Sequence, residues 1–132
     1  MPDRSIKIVP VKNPTPDRKA EFVGDVANAK PGRFEVQQGD LVSWNNTSTT
    51  DEHWPWPLKS QNAAPEIPLP PGSPVLVSGS ITPRTSSDDY NVAAPTGTTI
   101  WYCCRWHQAE RACLVVVPFG QSSEDDDDTP QA

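Results

Sequence analysis

Proline sets the tightest limit on what this chain can fold into. It occurs 16 times in 132 residues, against only 7 glycines. Inside a helix each proline removes a backbone donor and clashes with the preceding turn. At turns and on strand edges it is tolerated. The sequence therefore predicts short strands joined by irregular loops, in one domain, since a chain of this length can bury a single modest core.

Alternation of apolar and polar residues places the strands. Residues 5–11 read as a first strand, with Ile6, Ile8 and Pro10 on one face and Lys7 and Val9 on the other. Further strands are expected at 21–26, at 33–38 before a Gly39-Asp40 turn, and at 41–44 before Asn45-Asn46. Residues 47–73 show no periodicity and hold Pro55, Pro57, Pro65, Pro68, Pro70 and Pro71. A connection this long is expected to be a functional, semi-rigid excursion. Strands follow at 75–81, 89–92, 98–104 and 114–118. Seven or eight short strands in about 120 residues is the pattern of an all-β, antiparallel Greek-key sandwich.

The formal net charge of −6 is concentrated at 124–128, five acids without a base. Without those five, 12 acids face 11 bases. Residues 1–120 are thus expected to be a near-neutral domain and 121–132 an acidic disordered tail. A neutral domain argues against a nucleic-acid partner. No segment is apolar and long enough to span a membrane. Residues 1–20 carry charges throughout and no apolar h-region, so the chain reads either as cytosolic or as a mature form.

Three cysteines, Cys103, Cys104 and Cys113, cannot all pair. One metal-bound thiolate with a Cys103–Cys113 disulfide accounts for them, and so do three free thiols. Strand alternation turns Cys104 inward with Tyr102 and Ile100, and Trp101 and Cys103 outward; the opposite register is the alternative. The only two histidines are His53, after the fourth expected strand, and His107, which follows Cys104 with two residues between. Two imidazoles and a thiolate presented to one point form the trigonal set that suits copper in electron transfer. Zinc fits the same donors.

The segment Gly39-Asp40-Leu41-Val42-Ser43-Trp44-Asn45-Asn46, followed by His53, resembles the cupredoxin pattern G-D-x-V-x-[FW]-x-N with a later histidine. The segment Ile100-Trp101-Tyr102-Cys103-Cys104-Arg105-Trp106-His107, followed by Leu114-Val115-Val116-Val117, resembles the end of plastocyanin-like proteins. The resemblance spans roughly residues 33–117. It implies a cupredoxin-like sandwich with one copper ion in a type 1-like site, held by His53, Cys104 and His107. It implies export, to the periplasm for instance, and a redox partner protein.

The chain departs from the family at the axial position. Its sole methionine is Met1, and plastocyanin-like spacing puts Ala112 where the axial methionine belongs. Glu110 is the candidate replacement, by likeness to variants ending in H-P-x-E-R-G; Glu52, Asp51 or an open position are the alternatives. A surface salt bridge from Glu110 to Arg105 or Arg111 is the structural alternative. Trp54, Trp56 and Trp106 are expected to roof the site or to fill a satellite core; an exposed sugar-binding platform is the lesser reading. The functions to weigh are one-electron transfer by a monomeric carrier, copper binding, storage or delivery with a copper donor or acceptor, and a metal-free interaction module. No nucleophile–base pair points to an enzyme.

Overall fold

The computed structural model describes residues 3–24 and 32–118. They form eight strands and no helix: β1 (Asp3–Thr15), β2 (Arg18–Val23), β3 (Arg33–Val36), β4 (Leu41–Asn46), β5 (Pro55–Leu58), β6 (Tyr90–Asn91), β7 (Thr99–Cys104) and β8 (Arg111–Val116). Sheet one has the order β2-β1-β4-β6, and sheet two the order β3-β8-β7-β5. Two four-stranded sheets make the expected β-sandwich. The expected acidic tail, 121–132, lies outside the described residues, as does the end of the strand expected at 21–26. None of the described helices could cross a membrane, because there are none.

The sheets are mixed rather than wholly antiparallel. β1 pairs in parallel with β4, and β3 in parallel with β8. The cause is the path of the chain, which changes sheet on leaving β2, β3, β4, β5 and β6. Neighbours within a sheet are then seldom neighbours in sequence, and a parallel pair needs such a crossover. Gly39 makes the turn into β4 at φ +95°, a conformation that other residues adopt at a cost. Asp40 closes the turn by accepting the Gln37 amide at 2.8 Å.

Period-two alternation builds the core. Ile6 and Ile8 of β1, Val42 and Trp44 of β4, Ile100 and Tyr102 of β7, and Ala112, Leu114 and Val116 of β8 all point between the sheets. Tyr102 lies at the centre. Phe22 and Trp44 meet its ring edge-on at 5.0 and 5.6 Å, and the Trp44 indole donates to its hydroxyl at 3.2 Å. The hydroxyl gives the buried indole N–H the partner it needs.

Two strand expectations are corrected. Residues 75–81 form no strand, although Leu76 and Val77 are both buried in the core. Val75 is 59% exposed, and only Ile81 pairs, with His53. Conversely, β5 lies in the segment expected to be aperiodic. Its prolines, Pro55 and Pro57, alternate along the edge of sheet two. Alternate residues of an edge strand direct their N–H away from the sheet, so those positions lose nothing to proline. The chain beyond β5 folds over the outer face of sheet two. There Arg111 donates to the carbonyls of Gln61 and Ala63 at 3.1 and 2.9 Å, and the Trp56 indole to that of Glu66 at 2.9 Å.

Candidate metal centre

His53, Cys104, His107 and Glu110 meet at one end of the sandwich. One ligand-type atom from each lies within 4.8 Å of the others. His53 is set by the loop after β4. The Asn46 amide group donates to the carbonyls of Asp51 and Ile81, both at 2.9 Å, and the Ser48 hydroxyl accepts the Asp51 amide at 3.0 Å. A two-way backbone bridge to Ile81, at 3.2 and 2.8 Å, then fixes His53 itself.

Cys104 ends β7, and Glu110 directly precedes β8. Between them the chain makes a tight return. The Cys104 amide donates to the Glu110 carbonyl at 2.9 Å, the His107 amide to Cys104 at 3.2 Å, and the Glu110 amide to His107 at 3.0 Å. Asp17, in the β1–β2 turn, clasps this loop from outside. Its carboxylate accepts the Gln108 amide at 2.9 Å and its carbonyl the Ala109 amide at 3.2 Å.

Glu110 is 1% exposed and makes no surface salt bridge to Arg105 or Arg111. Its Oε2 accepts the amides of Lys19 and Ala20 at 2.6 and 3.0 Å. Its Oε1 lies 3.0 Å from His53 Nδ1, and its Oε2 lies 3.3 Å from His107 Nδ1. Cys104 Sγ is 3.6 Å from that same Nδ1. Glu52 is exposed, and neither it nor Asp51 joins the cluster. Ala112 faces Tyr102 in the core.

These residues fit a metal ion. A centre about 2.0–2.3 Å from each N, S and O donor needs donors roughly 3–4 Å apart. The closest pairs, at 3.0, 3.3 and 3.6 Å, already have that spacing. His53 Nε2 is buried without a partner among the described residues, and Nδ1 faces Glu110. The set combines two imidazoles and one soft sulfur with one hard oxygen.

Burial pushes the Cys104 thiol up to about 12; backbone hydrogen bonds from Trp54 pull against this, and the Glu110 carboxylate adds to it. Burial also pushes the Cys103 thiol up to about 11 and raises Cys113. A metal at Cys104 must therefore displace a proton. All three cysteines are free, so the expected Cys103–Cys113 disulfide is not formed. Cys103 stands opposite Arg111 and Cys113 opposite Trp101, a stagger of two residues.

A test follows from the raised thiols. With both folded values above the ordinary 9, the fold favours the protonated form. That contribution is complete below about pH 9 and is lost as pH climbs through 11 and 12. The urea midpoint of the metal-free protein should fall from pH 9 upward. A thiol reagent should find three groups after unfolding and almost none before; one group after unfolding would restore the disulfide.

The three tryptophans pack on one another, as a satellite core would. Trp56 stands opposite Cys103, on the outer face of sheet two. Trp54 packs against the core, 5.2 Å from the Trp56 ring and 6.1 Å from that of Trp106. Only Trp106 is well exposed, at 50%, so the three rings make no open platform. The Arg105 guanidinium lies among all three.

No protein-family model matches the sequence, and no curated protein matches it. Among solved structures, it is similar to a reduced amicyanin variant, at 18% identity and a TM-score of 0.43, over 64% of this chain and 69% of that one. It is similar to Fet3p, a multicopper oxidase that functions in iron import, at 14% identity and 0.45, over 89% of this chain and 23% of that one. McoA, a multicopper oxidase from the hyperthermophile Aquifex aeolicus, gives 11% identity and 0.45, over 86% and 26%. The chain thus spans about a quarter of each of these two oxidases.

Proposed function

We propose that this chain binds one copper ion through His53, Cys104, His107 and Glu110, and serves as a one-electron carrier. The supporting observation is the convergence of these four side chains in a site held by the protein's own hydrogen bonds. Copper supplies the one-electron couple. The chain supplies fixed geometry. Asn46 and the Ile81 bridge hold His53, the β7–β8 return holds Cys104 and His107, and the Lys19 and Ala20 amides hold Glu110 Oε2. Ligands that keep their places in both oxidation states lower the rearrangement that electron exchange requires.

His107 provides the way out. Its side chain is 13% exposed, whereas those of His53 and Glu110 are fully buried. Trp106, next to it, adds an apolar surface on which a redox partner can dock. The family resemblance carries the further reading that the protein works outside the cytoplasm.

Voltammetry of the copper-loaded protein tests this function. A reversible one-electron wave, with copper retained against a mild chelator, is the expected result. An irreversible wave with ready loss of copper would instead mark a protein that stores or delivers the metal.

A further inference from the structure

The residue after the thiolate ligand is an arginine in an aromatic box. Its guanidinium carbon lies 4.9 Å from the Trp54 ring centroid, 4.8 Å from that of Trp56 and 5.1 Å from that of Trp106. Its backbone is pinned as well, the Arg105 amide donating to the Trp54 carbonyl at 2.9 Å. The Nε is buried and meets no hydrogen-bond partner among the described residues. No carboxylate there pairs with the group either. The three ring faces hold the cation while the residue as a whole stays half-buried. A positive charge is thus held, without a carboxylate partner among the described residues, on the residue that follows Cys104 in the chain.

The anionic groups nearby in sequence are the metal ligands. With Cys104 as thiolate and Glu110 as carboxylate, the donor set carries two negative charges, and both histidines are neutral. Around Cu(II) the site is neutral. One electron received from a reduced partner protein leaves it at −1. We propose that Arg105 is the counter-charge of the reduced site, a positioning residue whose caged guanidinium raises the reduction potential against the lowering effect of Glu110. This rests on the copper reading above and deepens it. The cage gives the charge one position, which a free surface arginine would lack. Cation and cage come from the two segments that carry the ligands: Arg105 and Trp106 lie between Cys104 and His107, and Trp54 follows His53.

The test is voltammetry of copper-loaded wild type, Arg105→Met and Arg105→Lys, with the visible spectrum recorded on the same samples. At an effective dielectric of about 20, a unit charge roughly 12 Å from the site is worth roughly tenfold between oxidation states, or about 59 mV for one electron. Arg105→Met should lower the potential by about that amount with its spectrum retained. Arg105→Lys, which keeps the charge, should lower it by less than half as much. If Arg105→Met does not fold, Arg105→Gln replaces it as the uncharged variant. An uncharged variant with the wild-type potential and an intact spectrum overturns the proposal. So does a lysine variant that falls as far as the uncharged one, which would leave the box a packing feature. A wild type with no thiolate-to-copper band fails the copper reading itself, and the counter-charge with it.

Discussion

Replacing Cys104 with serine is expected to abolish the thiolate-to-copper absorption and to weaken Cu(I) binding by well over 100-fold. Losing a group that only supports a ligand typically costs 10–100-fold. Cys104 is the sole sulfur in the cluster and the donor that favours Cu(I). Serine leaves a hydroxyl that stays protonated near neutral pH and binds the soft ion poorly. The fold should survive, since Cys104 contributes one small side chain at the end of β7. A visible spectrum that persists in Cys104→Ser would move the thiolate to Cys103. Cys103 faces Trp56 and Arg111 on the outer side of sheet two, so that result would contradict the site described above.

The second large effect belongs to Glu110. In Glu110→Leu the amides of Lys19 and Ala20 lose their acceptor, and so do the imidazoles of His53 and His107. Leaving such donors buried without an acceptor costs roughly 1–3 kcal/mol each, or about 3–5 kcal/mol together. For a domain of this size that lowers the melting temperature of the metal-free protein by on the order of 10–20 °C. Glu110→Gln keeps an acceptor for the amides and should lose much less. Glu110→Met also tests ligation. If Glu110 Oε1 is the fourth donor, a thioether in its place shifts the absorption toward blue and raises the potential, because a soft ligand favours Cu(I). An unchanged absorption would confine Glu110 to its hydrogen bonds. A Glu110→Leu melting point within about 2 °C of wild type would remove even that role.

The strands that carry the ligands were legible in the sequence because they alternate cleanly. Val42 and Trp44 point inward from β4, and Ile100, Tyr102 and Cys104 from β7. That alternation favours Cys104 over Cys103, the Cys104-x-x-His107 spacing and the presence of only two histidines point to the other donors, and the family resemblance implies the full set of His53, Cys104 and His107. β5 was hidden because its prolines read as breakers, and they are tolerated only at a sheet edge. The segment 75–81 misled for the opposite reason: its alternation is present, but Leu76 and Val77 both serve the core.

Glu110 was visible as a candidate but not as a hub. The amides that anchor it are 91 and 90 residues away in sequence, and a backbone donor leaves no mark on residue type. The Asp17 clasp is hidden in the same way, because aspartate in a turn already has a local explanation. Arg105 reads as an ordinary surface charge until the three tryptophans are seen around it. The disulfide failed on register, since adjacent strands placed Cys103 and Cys113 two residues out of step.

Titration of the metal-free protein with Cu(II) under visible spectroscopy tests the four-donor copper site. The site described predicts an intense thiolate-to-copper band that grows linearly and stops at one copper per chain. Proton release should accompany it, as the Cys104 thiol is deprotonated. Weak copper absorption without a thiolate band, or a band that keeps growing beyond one equivalent, would contradict it.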